Sequence, residues 1–243
     1  VSTGIAPAAA VEGDRPAAAP PIELVCLDMA GTTVADDGAV LAAFHAALDD
    51  LDVTDPDERR TMERYVVETM GESKIVVFRA LFGDEAAERA NHAFERAYDA
   101  QIDGGRIAPI DGAADAIRAL REAGLRVALL TGFSASTRDR LVARLGWGDI
   151  ADVALCPSEA GRGRPHPDLV LTALLRCGAD DVAAVAAVGD TASDMESARR
   201  AGASMRIGVR TGTHGPDELR RAGATHVLDS VRDLPGLLGV DVA

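Results

Sequence analysis

The sequence predicts an α/β protein: a doubly wound parallel sheet carrying a small α-helical cap inserted after its first strand. Three observations predict it. From Ile107 onward, short apolar runs alternate with helical stretches of about ten residues, the pattern of a parallel sheet built from strand–helix units. Between about Asp36 and Asp103 the periodicity is helical throughout and no strand signal occurs. Ahead of both, the apolar run from Ile22 to Leu27 ends abruptly at Asp28, and Met29-Ala30-Gly31-Thr32-Thr33 follows. That reads as a buried strand delivering a carboxylate to the carboxyl edge of a sheet, where open α/β proteins place ligands.

The elements follow in order. Residues 1–20, rich in Ala and Pro, are expected to be a disordered tail and not a signal peptide, because no basic segment precedes an apolar one. The cap is expected over 36–105, and the core over 21–35 and 106–243. In the cap, Leu41, Phe44, His45, Leu48 and Leu51 share one face of a first helix. Asp55-Pro56 starts a second, with Pro at the tolerated first position, and Gly71 ends it. A third helix runs from Ser73 to Phe82 and stops at Gly83, and a fourth continues from Asp84 to about Ile102. Asp36-Asp37-Gly38 and Asp103-Gly104-Gly105 supply the two hinges. The core then alternates: helix 113–123, strand 125–130, helix 134–145, strand 153–156, a loop over 157–167 and helix 168–177. Strand 182–188, helix 193–201, strand 205–209, helix 216–222, strand 225–228 and a last helical turn at 234–238 complete it.

Composition bounds the function. The 243 residues carry 47% hydrophobic but only 3% aromatic residues, so the core must be built from Ala, Val and Leu. The net charge of −14 disfavours nucleic acid and anionic membrane surfaces as partners. An anionic small substrate stays possible, since a local cation or metal overrides the global field. Cys26, Cys156 and Cys177 are odd in number and widely spaced, which suits reduced thiols in a cytoplasmic protein.

Four predicted strand ends carry polar signatures: Asp28, Thr131-Gly132, the loop holding Arg164, and Gly189-Asp190-Thr191-Ala192-Ser193-Asp194. In a parallel sheet all four fall on one edge and converge. Asp28 and Asp190, with Asp194 behind them, make a hard oxygen site suited to Mg2+. Thr131 offers a hydroxyl, Gly132 lets a backbone N–H approach a phosphoryl oxygen, and Arg164 supplies a fork of donors. The set suits in-line phosphoryl transfer through an aspartyl-phosphate at Asp28. His166 is expected to shape its loop, Trp147 to pack, and the segment 208–212 to close one side of the pocket. His45, His92, His214 and His226 have no evident partners.

These four motifs, in this order over about residues 22–230, resemble the haloacid dehalogenase superfamily. Three features resemble its phosphonatase (phosphonoacetaldehyde hydrolase) branch. Ala30 stands where phosphatases of the superfamily carry a second Asp. Arg164 stands where most members use Lys. The cap segment Met70-Gly71-x-x-Lys74-Ile75-x-x-x-Arg79-Ala80-Leu81 is similar to that bearing the branch's imine-forming lysine. Val77, Phe133 and Gly38 depart from the branch, which has His, Tyr and Cys at the matching places. The resemblance implies Mg2+ held by Asp28, the Ala30 carbonyl and Asp190, with Asp194 in the outer shell. It further implies phosphoryl contacts from Gly31, Thr32, Met70, Thr131, Gly132 and Arg164, and a homodimer formed through the cap.

Ala30 has a direct chemical meaning. It cannot protonate a leaving alkoxide, so the leaving group must be activated in another way. Condensation of Lys74 with an aldehyde gives an iminium that accepts the electrons of a breaking C–P bond. The expectation is therefore cleavage of a carbonyl phosphonate such as phosphonoacetaldehyde. Hydrolysis of small phosphate monoesters is the alternative, and a non-catalytic phospho-ligand-binding protein is the third reading.

Overall fold

A computed structural model describes residues 20–241, so the predicted tail lies outside the described residues apart from Pro20. Six strands form one sheet: β1 (Leu24–Asp28), β2 (Arg126–Leu130), β3 (Val153–Leu155), β4 (Val185–Gly189), β5 (Met205–Val209) and β6 (His226–Leu228). All pairs are parallel and the spatial order is β3-β2-β1-β4-β5-β6. The first strand is thus central, with the order reversing on either side of it, the place where such sheets open a crevice. Its register puts Asp28 opposite Leu130 and Leu27 opposite Val188, so the residues following β2 and β4 emerge beside Asp28.

Alternation along the strands builds two apolar layers. Val25 and Leu27 face a cluster with Ile117 and Leu120 of α4 (Ala113–Glu122), while Leu24 and Cys26 face Leu169, Val170 and Ala173 of α7 (Asp168–Cys177). Both faces of β1 are buried, which is why it reads as a continuous apolar run. Helices α5 (Ala135–Arg144), α8 (Ala192–Ala201), α9 (Pro216–Arg221) and α10 (Leu234–Leu237) complete the core. Two local readings change. The stretch expected as an open loop contains a short helix, α6 (Pro157–Ala160), started by Pro157. The run expected as a strand from Val182 begins with a 3-10 turn, Val182–Ala184, because Asp181 accepts the Ala183 N–H and caps it.

Between β1 and β2 the chain is helical: α1 (Ala39–Asp50), α2 (Pro56–Glu68) and α3 (Lys74–Asp103). Asp55 starts α2 by accepting the N–H groups of Asp57 and Glu58 at 2.8 and 3.0 Å. Gly83, at φ 74° and ψ 174°, breaks α3 into two arms where the sequence places a stop. The buried face of α1 is Ala39, Val40, Ala43, Phe44, Ala47 and Leu48, whereas Leu41, His45 and Leu51 are only half-buried. Phe44 and Leu48 are on it as expected, and Ala39, Val40, Ala43 and Ala47 complete it where α1 packs along α3.

Few as they are, the aromatics concentrate here. Phe44 stacks on Phe78 at 6.0 Å, Phe78 meets Phe94 at 5.9 Å, and Phe94 stacks on Tyr98 at 6.0 Å. Tyr98 then lies 4.5 Å from Phe133, which belongs to the loop after β2. The helical insert and the sheet therefore share one continuous apolar cluster. Among the described residues no helix is long and apolar enough to cross a membrane. Because Phe78 is fully buried at the centre of this column, Phe78→Ala is expected to cost about 3–5 kcal/mol in urea unfolding.

Candidate active site

The loop after β1 is a tight turn. The N–H groups of Thr33 and Val34 both bond to the Met29 carbonyl, and Thr33 Oγ1 donates to the Asp28 carbonyl at 3.0 Å. Gly31 sits at φ 86°, and a Cβ there would stand 2.5 Å from Asp190 Oδ2, so the turn requires glycine twice over. This places Asp28 and Asp190, from neighbouring strands, across the mouth of the sheet.

Arg164 arrives from the loop before α7 and is 5% exposed. Its Nη1 lies 2.7 Å from Asp28 Oδ1, and its Nε lies 2.8 Å from Asp194 Oδ1. Asp194 also caps α8 reciprocally with Thr191, accepting its N–H at 3.0 Å and its hydroxyl at 2.5 Å. Asp190 accepts the Thr32 hydroxyl at 3.2 Å and the Thr213 N–H at 2.8 Å. Thr131 is buried beside Asp28, its Oγ1 accepting the Phe133 N–H at 3.2 Å. The strand ends expected to converge do so.

Charge in this crevice is unbalanced. Three buried carboxylates, Asp28, Asp190 and Asp194, share one guanidinium, which touches Asp28 and Asp194. Burial lifts Asp28 well above the ordinary carboxylate range; Arg164 opposes the shift, and Asp194 and Asp190 add to it. Burial and the Asp194 charge push Asp190 up to about 7, against the bonds from Thr213 and Thr32. Such a site calls for a further cation. Among the described residues no three His, Cys, Asp or Glu side chains cluster as a metal cage. Mg2+ does not need one, since it takes one or two carboxylates and keeps several waters. The donor set of Asp28, Asp190 and the Ala30 carbonyl fits it, while Asp194 is committed to Arg164 and Thr191.

From the insert, the segment Met70–Lys74 lies over this edge. Gly71, Gly132 and Gly163 form the seam. An added Cβ would stand 2.5 Å from Thr191 Oγ1 at Gly71, 2.6 Å from the Glu72 carbonyl at Gly132, and 2.8 Å from Ser73 Cβ at Gly163. Gly132 was expected to admit a phosphoryl group; here its missing side chain admits the backbone of the insert. The Gly71 carbonyl in turn accepts Arg164 Nη1 at 3.5 Å. What remains is a cavity of about 30 Å³ lined by Asp28, Ala30, Gly31, Asp36, Thr131 and Arg164, with Met70 and Lys74 from the insert.

Lys74 opens α3 and is 9% exposed, with Val77 and Phe78 buried on its own face. Among the described residues no carboxylate reaches ion-pairing distance of its Nζ, whose one polar neighbour is Met70 Sδ at 4.0 Å. Burial lowers its pKa, opposed at longer range by Asp36, Asp28 and Glu72 in that order. The helix N-terminus acts in the same direction as burial.

Three residues carry more than their sequence signals suggest. Asp36 reads as part of a flexible hinge, yet its Oδ1 accepts the Val40 N–H at 3.1 Å and it lines the cavity. An Asp four residues before the bonded N–H, at a helix start, is the signal that could have found it. His214, without an evident partner in sequence, is buried: its N–H donates to the Asp190 carbonyl at 3.1 Å, and its Nδ1 accepts the Ala192 N–H at 2.8 Å. It braces the Asp190 loop. Thr211, in the segment expected to close the pocket, donates its hydroxyl to the Gly31 carbonyl at 2.7 Å. His166 and Trp147 have the structural places expected: the His166 carbonyl accepts Ser197 Oγ at 2.7 Å, and Trp147 is buried.

Comparison with known proteins decides the family. Residues 22–202 match the haloacid dehalogenase-like hydrolase family. The chain belongs to it. Among curated relatives, "Probable phosphatase IndB" of Dickeya dadantii is 29% identical over 88% of this chain and 92% of its own length. Phosphonoacetaldehyde hydrolase of Nitratidesulfovibrio vulgaris is 29% identical over 88% of each chain. Two solved structures share the fold: a hydrolase from Pseudomonas syringae, with TM-score 0.79, 24% identity and coverage of 90% of this chain and 98% of that one; and a phosphonoacetaldehyde hydrolase-like protein from Oleispira antarctica, with TM-score 0.78, 23% identity and coverage of 94% and 95%.

The seam makes a test of this hydrolase. Gly132→Ala should push the Glu72 backbone off the sheet edge, lowering the melting temperature and also lowering kcat/KM by about 10²-fold in a phosphate-release assay.

Proposed function

We propose that this hydrolase is Mg2+-dependent and cleaves the C–P bond of a carbonyl phosphonate such as phosphonoacetaldehyde, with Lys74 forming an imine and Asp28 taking the phosphoryl group. The observation that carries the reading is the buried, unpaired Lys74 amine facing the same cavity as Asp28. A structural lysine buried this deeply is normally paired; one held without a carboxylate partner is on the way to a neutral nucleophile. Ala30 supports it, because the strand offers no acid for an ordinary leaving group.

Arg164 holds Asp28 Oδ1, leaving Oδ2 to attack phosphorus. Thr131, Gly132 and Gly31 border the place of the phosphoryl oxygens, Thr32 stands behind them on Asp190, and Met70 covers the Lys74 side. Electrons of the breaking C–P bond pass to the iminium on Lys74; the enamine so formed takes up a proton and is hydrolysed to the aldehyde and the free lysine, and a second water hydrolyses the aspartyl-phosphate. Asp28, the Ala30 carbonyl and Asp190 would hold Mg2+, which when bound neutralises phosphoryl charge. A cavity of about 30 Å³ is smaller than any such substrate, so the insert must lift to admit it and close again to exclude water.

Hydrolysis of small phosphate monoesters is the second reading. The phosphatase names among the relatives favour it, including N-acetylmuramic acid 6-phosphate phosphatase of Pseudomonas aeruginosa, 31% identical over 54% of this chain.

Two outcomes are expected. Borohydride added with phosphonoacetaldehyde should fix an adduct on Lys74, and Lys74→Ala should abolish both the adduct and phosphonate hydrolysis. Full phosphonate activity in that variant would sink the imine, and efficient sugar-phosphate hydrolysis indifferent to Lys74 would select the second reading. Mg2+ should also raise the melting temperature, more at about pH 8 than at about pH 5.5. The sign follows from Asp28 and Asp190: their raised pKa values mean the cation-free fold retains protons that the unfolded chain has lost. Its stability therefore falls as pH rises toward 7, and the ion must displace those protons at low pH.

A further inference from the structure

We propose that Asp36 is the group that takes a proton from Lys74 and returns it to the hydroxyl leaving during imine formation. The inference rests on the imine reading above and assigns a partner that this reading lacks. An ammonium must lose a proton before it can attack a carbonyl, and the resulting carbinolamine must gain one to release water. Ala30 removes the strand-end acid, Val77 offers nothing from the helix, and Lys74 Nζ has no carboxylate in direct contact.

Three acidic side chains line the cavity: Asp28, Asp36 and Glu72. Asp28 is bound to Arg164 and is needed as the nucleophile. Glu72, like Lys74, also borders the outer groove between insert and core, and its charge acts on Lys74 less strongly than that of Asp36. Asp36 is the remaining candidate, and it is fixed in place. Its Oδ1 accepts the Val40 N–H at 3.1 Å at the start of α1, and the turn before it is tied down by the Ala35 N–H bonding to the Ala108 carbonyl at 2.9 Å. Of the negative charges acting on Lys74, that of Asp36 is the largest. The other groups facing it are Asp37, on its own loop, and Tyr98, from α3.

The energetics suit transfer in both directions. Burial raises the proton affinity of Asp36 and lowers that of Lys74, which narrows the gap a proton must cross between them. They are not in contact, but the cavity between them, about 30 Å³, has room for one water to bridge them.

The protons balance. Lys74–NH3+ gives one proton to the Asp36 carboxylate, leaving a free amine and a carboxylic acid. The amine nitrogen attacks the aldehyde carbon, and one proton moves from that nitrogen to the carbonyl oxygen, giving a neutral carbinolamine. Asp36 then donates its proton to the hydroxyl as the C–O bond breaks. Water departs, the iminium remains on Lys74, and Asp36 is a carboxylate again.

Asp36→Asn tests this, because Asn keeps an oxygen for the Val40 N–H while losing the exchangeable proton; Asp36→Ser, which also caps helices, is the second variant. In both, the rate of borohydride trapping on Lys74 with phosphonoacetaldehyde is expected to fall about 10²-fold. Hydrolysis of 4-nitrophenyl phosphate through Asp28, whose leaving group needs no acid, should fall much less than trapping does. Formate should restore part of the trapping in Asp36→Ala. Trapping at the wild-type rate in both variants overturns the inference, and so does a parallel loss of both activities, which would mean that Asp36 only shapes the site. A wild-type protein that forms no adduct overturns the lysine reading and this inference with it; a wild type that traps beside variants that trap equally well overturns this inference alone.

Discussion

A single guanidinium holds the working edge of this protein together. Arg164 is buried between Asp28 and Asp194, bonding to each, and without it three carboxylates would be shut away from water with no cation among them. Removing one partner from such an arrangement leaves an uncompensated buried charge, which is far more costly than the pair itself is stabilising. The loops answer to this constraint. Asp194 is oriented by its reciprocal cap with Thr191, Asp190 is fixed by Thr32 and Thr213, and His214 braces the backbone beneath it. Even so one guanidinium serves three carboxylates, and the proposed divalent ion would relieve that imbalance.

The helical insert meets this edge in two different ways. Away from the chemistry it is joined by an aromatic column that runs from Phe44 to Phe133 and continues the core of the sheet. Over the chemistry it comes closest at Gly71, Gly132 and Gly163, where an added side chain would collide. Apolar contact supplies adhesion, and the glycines supply proximity. The consequence is that Lys74, on a separate helical segment, faces the same small cavity as Asp28.

Much of this was legible in the residues. The apolar run ending at Asp28 marked a central strand because a strand buried on both faces leaves no alternation to read. Asp190 and Thr131 were found for the same reason, each following an apolar run. Asp36 was not. Its Asp-Asp-Gly setting has the composition of a hinge, and what gives the carboxyl its place is a cavity wall assembled from segments distant in the chain. His214 was missed because its partners, Asp190 and Ala192, lie more than twenty positions away. Gly132 was noticed for a reason other than the one the packing reveals.

The sequence by itself determined which strands form, the edge on which their polar ends emerge, and the loss of the strand-end acid at Ala30, because these depend on local pattern and on parallel topology. Only the tertiary structure decided the state of Lys74. On the chain its nearest charge is Glu72, which favours an ordinary ammonium. In the fold, burial outweighs every carboxylate around it, because none of them comes close enough to pair. Desolvation depends on everything packed around a group, and no stretch of sequence displays that.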